Sequence, residues 1–120
     1  MASILIIDDE SEIRDLLRLT LERAGHRVSE ATNGREGMAQ YRSAPTDVVL
    51  VDIMMPVQDG LETILALTRE FINTKVIAMT GATGNQSKLD VAKLLGARHT
   101  FLKPFNMQTM LSTIDYELTH

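Results

Sequence analysis

Five polar positions could do chemistry together if the chain gathers them: Asp8, Asp9, Asp52, Thr80 and Lys103. Each follows a short apolar block, "ILII" before the acidic pair, "DVVLV" before Asp52, "KVIAM" before Thr80 and "HTFL" before Lys103. Two carboxylates about 5 Å apart at an effective dielectric of ~20 repel by roughly 3 kcal/mol. Three such pairs approach about 10 kcal/mol, comparable with the roughly 6–18 kcal/mol of stability expected of a chain this long. Lys103 is expected to neutralise one charge, which leaves work for a divalent cation. An all-oxygen donor set without His or Cys suits Mg²⁺ or Mn²⁺. A hard cation beside a carboxylate, a hydroxyl and an ammonium is the equipment of phosphoryl transfer, with an aspartate able to act as nucleophile and form an acyl phosphate.

The apolar blocks that must position these residues are 3–7, 26–31, 47–51, 75–79 and 99–102. The first, third and fourth are nearly continuous, as for strands covered on both faces, whereas the second alternates and the fifth is short, as at sheet edges. Helical periodicity fills the gaps. Ile13, Leu16, Leu17, Leu21 and Ala24 form one stripe, stopped by Gly25, and a weaker segment runs from Asn33-Gly34 to about Ser43. Asp59 caps a stripe of Leu61, Ile64, Leu65, Thr68 and Ile72; Leu89, Ala92 and Leu95 end at Gly96; Asn106 caps Met107, Met110, Leu111, Ile114 and Leu118. Five βα units predict an α/β fold, a flavodoxin-like (βα)5 three-layer sandwich with a five-stranded parallel sheet and helices on both faces. Of the doubly wound orders, 2-1-3-4-5 suits edge-like second and fifth strands. In such sheets ligands bind beyond the carboxyl ends of the strands, where the order reverses, so all five positions fall on one rim. Asp52, on the central strand between the acidic pair and the lysine, is the best nucleophile.

Composition narrows the function classes. The 120 residues suffice for one domain, and 44% hydrophobic with 23% charged residues is globular composition. No apolar run approaches the ~18 residues of a spanning helix, and no basic segment precedes the first apolar run, so membrane insertion and a secretory signal are not expected. The absence of cysteine fits the cytoplasm. A net charge of −4, scattered basic residues and few aromatics argue against direct nucleic-acid binding.

The blocks "ILIIDDE", "VLVDIMMPVQDG", "VIAMTG" and "FLKPF" together resemble the signature of the receiver domain of bacterial two-component response regulators, in the family's order, from Ile4 to about Leu118. The resemblance implies one receiver domain over 1–120, a CheY-like phosphorylated signalling module that is not an enzyme beyond its own phosphoryl chemistry. It implies that Asp52 accepts a phosphoryl group from a histidine kinase or histidine phosphotransfer protein. It also implies Mg²⁺ bound by Asp9 directly, Asp8 mainly through water, Asp52, and the carbonyl of Met54. Thr80 and Lys103 would hold phosphoryl oxygens, with a cis peptide before Pro104, and Pro56 and Gly60 would shape the turn beside the site. The family's output surface, formed by the fourth helix, fifth strand and fifth helix, would meet a downstream protein, and the first helix would meet the kinase. The chain would be a monomer or a phosphorylation-dependent dimer, acting in trans because no output domain follows.

Two positions depart from the pattern. Thr100 stands where the family usually has an inward-turning Tyr or Phe, and Phe101 should face the other side of its strand. A shift of Thr80 would then act through the loop "GATG", 81–84. Met54 and Ala82 cannot orient a water, which predicts slow loss of the phosphoryl group. Blander readings stand beside these. Asp8 or Asp9 alone would suit a helix cap; Met107 and Met110 read as core; His26, His99 and His120 read as surface; the Arg14–Arg18 pair reads as a solvated helix face. An isolated receiver of a larger regulator and a phosphorelay intermediate remain open. A haloacid dehalogenase-like aspartyl phosphatase would want an aspartate-x-aspartate motif and a cap domain; a flavodoxin-like electron carrier would want a phosphate loop instead of carboxylates.

Overall fold

The computed structural model describes residues 2–55, 59–81 and 86–120. The elements alternate throughout: β1 (Ser3–Ile7), α1 (Ser11–Arg23), β2 (Arg27–Ala31), α2 (Gly34–Ser43), β3 (Val48–Asp52), α3 (Gly60–Glu70), β4 (Val76–Thr80), α4 (Gln86–Leu94), β5 (His99–Leu102) and α5 (Met107–Thr119). The sheet is parallel with order β2-β1-β3-β4-β5. The continuous apolar blocks are the three central strands, whose side chains are buried on both faces, as their composition requires.

Alternation along the strands divides the core in two. Leu5, Ile7, Val49, Val51, Val76 and Ala78 pack with Met38, Ile64, Leu67, Leu89 and Ala92 of α2, α3 and α4. Ile4, Ile6, Val48, Leu50, Ile77 and Met79 pack with Leu17, Leu21, Met110 and Ile114 of α1 and α5. Phe101 lies on the second side, edge-on to Phe105 at 5.5 Å, while its neighbour Thr100 pairs with Ala78, so Thr100 and Phe101 alternate as expected.

The helix ends follow local chemistry. Asn33, Asp59 and Asn106 each accept a hydrogen bond from the backbone N–H three residues on, at 2.9, 2.9 and 3.1 Å. Gly25 (φ +92°) and Gly96 (φ +120°) adopt the left-handed conformation that stops α1 and α4. Two stripe assignments change. α3 ends at Glu70, leaving Ile72 92% exposed, and its buried positions are Gly60, Thr63, Ile64 and Leu67. Leu16 of α1 is half exposed, because Leu17 and Leu21, with Ile13 partly buried beside them, are the side chains that face the sheet.

Candidate functional site

The register of the sheet gathers the polar residues. Ile7 pairs with Val51, so Asp8 leaves β1 level with Asp52 at the end of β3. Asp52 pairs with Met79, one residue before Thr80, and Thr80 pairs with Leu102, one residue before Lys103. Asp52 and Thr80 are thus the last residues of their strands rather than the first of the following loops. The peptide between Lys103 and Pro104 is cis, and the Lys103 N–H donates to the Thr80 carbonyl at 2.8 Å.

Lys103 is the hub. Its ammonium lies 2.8 Å from Asp8 Oδ2, 3.0 Å from Glu10 Oε1 and 3.4 Å from Asp52 Oδ2. One ammonium is therefore shared by three carboxylates, and its single charge still neutralises only one of them. Burial by itself pushes its pKa down, but the hydrogen bond and charge of Asp8, with Asp52 and Glu10 behind them, outweigh that and hold it at about 12. Asp52 is almost fully buried, and burial raises its carboxyl to about 6; the charge of Asp8 adds to the rise, while the Met54 N–H and Lys103 oppose it. That N–H donates to Asp52 Oδ1 at 3.0 Å, leaving Oδ2 toward the lysine.

The acidic pair divides in two. Asp8 is wholly buried, with Oδ1 accepting the Glu10 N–H at 2.9 Å, whereas Asp9 is exposed. Neither caps α1: its N-cap is Glu10, whose side chain turns to Lys103 instead. One carboxylate oxygen from each of Asp8, Asp9, Glu10 and Asp52 lies within 4.8 Å of the others. Four hard oxygens of this kind, two on buried side chains and two open to solvent, fit a hard dication such as Mg²⁺ or Mn²⁺. The Thr80 hydroxyl is buried and makes no hydrogen bond with any described residue, which leaves it available to a ligand oxygen.

Gly60 shapes the neighbouring turn. A Cβ there would lie 2.4 Å from the Asp52 carbonyl oxygen and 2.3 Å from the Ile53 Cα, so α3 can start this close to β3 only without a side chain. The Met54 side chain is partly exposed beside the site. Pro56 and Ala82, and most of the 81–84 loop, lie outside the described residues.

Two participants escaped the sequence reading. Glu10 was visible as part of the acidic run, but nothing in its spacing tells that it shares the lysine. Arg14 is not a solvated residue: its side chain is 15% exposed, and its Nη1 donates to the Asp8 carbonyl at 2.7 Å. His99 also differs from the surface reading, lying 2.7 Å from the buried Glu117 of α5.

Comparisons with known proteins agree with this architecture. Residues 4–115 match the family described as the response regulator receiver domain. The chain is 37% identical over 116 residues to protein PilH of Pseudomonas aeruginosa, covering 96% of each. It is 38% identical over 116 residues to response regulator GtcR of Aneurinibacillus migulanus, covering 97% of this chain but 47% of GtcR, so it spans about half of that protein. Among solved structures, response regulator TrrA of Thermotoga maritima, in complex with Mg²⁺-BeF, superposes with a TM-score of 0.88 at 29% identity, covering 98% of this chain and 99% of TrrA.

Proposed function

The chain belongs to the response regulator receiver domain family, a family of two-component signalling modules, and from that membership we propose that it stores a phosphoryl group on Asp52. The observation that carries the proposal is the setting of Asp52: a buried strand-end carboxylate with one oxygen held by a backbone N–H and the other facing an ammonium. With a pKa of about 6 it is ionised at neutral pH and can attack phosphorus. The donor is a phosphohistidine of a kinase or phosphotransfer protein. As the bond from Asp52 to phosphorus forms, the phosphorus–nitrogen bond breaks, and its electron pair returns to the imidazole, which takes up a proton. Lys103 exchanges Asp52 for a phosphoryl oxygen while keeping its bonds to Asp8 and Glu10, and the Thr80 hydroxyl donates to another. Asp8, Asp9, Asp52 and the Met54 carbonyl would hold a Mg²⁺, which when bound would supply charge stabilisation of the transferring oxygens.

Residues 1–120 read as one receiver domain with no catalysis beyond this transfer and the hydrolysis of its aspartyl phosphate, acting in the cytoplasm. Among the described residues no helix is long and apolar enough to cross a membrane. The change at Thr80 and Lys103 passes to the surface of α4, β5 and α5, where Val91, Leu94, Leu102 and Tyr116 are exposed to a downstream protein. Thr100 is too small for an aromatic rotamer switch, so the movement would run through the backbone after Thr80.

The test is intact mass spectrometry after incubation with Mg²⁺ and a small phosphodonor. One added phosphoryl group is expected, absent in Asp52→Asn and absent in excess chelator. Equal labelling of Asp52→Asn would defeat the assignment.

A further inference from the structure

We propose that Arg14 is a positioning residue that pre-sets the acidic loop for its cation, an inference that rests on the metal-binding reading above. The loop joining β1 to α1 is only Asp8, Asp9 and Glu10, and it must present like charges side by side. Every polar group of Asp8 is held. Its N–H donates to the Ala31 carbonyl at 3.1 Å, Oδ1 accepts from Glu10 N–H, Oδ2 accepts from Lys103, and its carbonyl accepts from Arg14 Nη1 at 2.7 Å.

The two cations among these partners differ in what else they do. Lys103 is divided among three carboxylates and is drawn toward a phosphoryl group when one arrives. Among the described residues Arg14 bonds to no ligand-binding carboxylate; its Nε donates to Glu30 Oε1 at 3.3 Å. Glu30 is fixed in turn, with Oε2 accepting from Arg18 Nη1 at 2.7 Å and its backbone carbonyl accepting from Gln40 Nε2 at 2.7 Å. A planar guanidinium thus bridges the loop backbone to the edge strand β2, through two donors a lysine could not place at once. By fixing the Asp8 carbonyl it holds the peptide plane that leads into Asp9, and so narrows the positions open to the Asp9 carboxylate. The cost of ordering the acidic loop is then met during folding and not when the cation binds.

The sign of the effect separates this role from plain electrostatics. Removing a positive charge beside a cation site should tighten Mg²⁺ binding if charge is all that matters. Loss of a positioning contact should weaken it, by about tenfold or more on the scale seen when groups that orient metal ligands are removed.

Calorimetric titration of the whole chain with MgCl₂ reads this directly, with circular dichroism to establish that each variant is folded. Arg14→Gln is expected to raise the Mg²⁺ dissociation constant about tenfold. Its labelling rate by a small phosphodonor at saturating Mg²⁺ should stay near that of the parent. Arg14→Lys, which keeps the charge and loses the fork, should fall between the two and serves if Arg14→Gln does not fold. Arg18→Gln, which reaches Glu30 but not the loop, should leave the affinity within about threefold of the parent. Unchanged or tighter binding in folded Arg14→Gln, or equal weakening by Arg18→Gln, overturns the proposal while leaving the family reading intact. A parent chain that takes up no Mg²⁺ overturns both.

Discussion

Asp52→Asn should stabilise the metal-free protein, and the gain should depend on pH. Burial raises the Asp52 carboxyl from 3.8 to about 6, so the folded state binds its proton more tightly than the unfolded chain does. The stabilisation from that proton is fully present below pH 3.8 and is lost as pH rises through about 6. At pH 7.5 the parent therefore carries the whole penalty of an ionised, buried carboxylate. A displacement of this size corresponds to at most about 3 kcal/mol. Solvent enters this rim past the exposed Asp9 and Glu10, so we take about 1–3 kcal/mol as the expected gain. Each kcal/mol should raise the melting temperature by roughly 3–6 °C for a chain of this length. Thermal melts of parent and variant in excess chelator at pH 7.5, 6 and 5 would measure it. The variant should melt higher at pH 7.5, with a smaller difference at pH 6 and a smaller one again at pH 5. An unchanged or lowered melting temperature at pH 7.5 would refute the charge argument, and a rise equally large at pH 5 would assign the gain to packing instead.

Two further outcomes follow from the site. Gly60→Ala places a Cβ against the backbone of Asp52 and Ile53, which cannot yield as a flexible side chain would. It should cost about 1–3 kcal/mol in urea unfolding and slow phosphorylation of Asp52; stability and labelling equal to the parent would show that α3 moves aside freely. Met54 is partly exposed beside Asp52 and offers no group that orients a water. The phosphoryl group should be long-lived, and Met54→Asn should shorten its half-life severalfold in a mass-spectrometric decay series. A half-life that Met54→Asn leaves unchanged would remove the side chain from the account.

Much of the fold was legible because its signals are local. Continuous apolar blocks for β1, β3 and β4, an alternating β2 and a short β5 follow from which faces each strand buries. Asn33, Asp59 and Asn106 cap helices by bonds spanning three residues, and so can be read from their neighbours. Ile72 shows where local reading fails: it continues a helical period, yet α3 stops at Glu70 and the turn carries Ile72 into solvent. Arg14 fails the same way in the opposite direction. On α1 it lies off the apolar stripe and looks solvated, but the acidic loop and β2 fold over it and supply two acceptors.

By itself the sequence determined the order of elements, the position of each strand to within a residue or so and the hard-oxygen character of the rim, because apolar patterning and capping act over a few residues. It could not say which of the adjacent carboxylates would be buried. Asp8 and Asp9 are identical in type and neighbours in the chain, yet one is sealed inside and the other is open to water. That difference comes from partners far along the chain: Lys103, 95 residues away, and a β2 carbonyl that accepts the Asp8 N–H. Only the tertiary structure decided that one lysine would serve three acids and that an arginine would hold the loop beneath them. Burial and charge pairing are properties of the assembled sheet rim, and no segment of the chain possesses them alone.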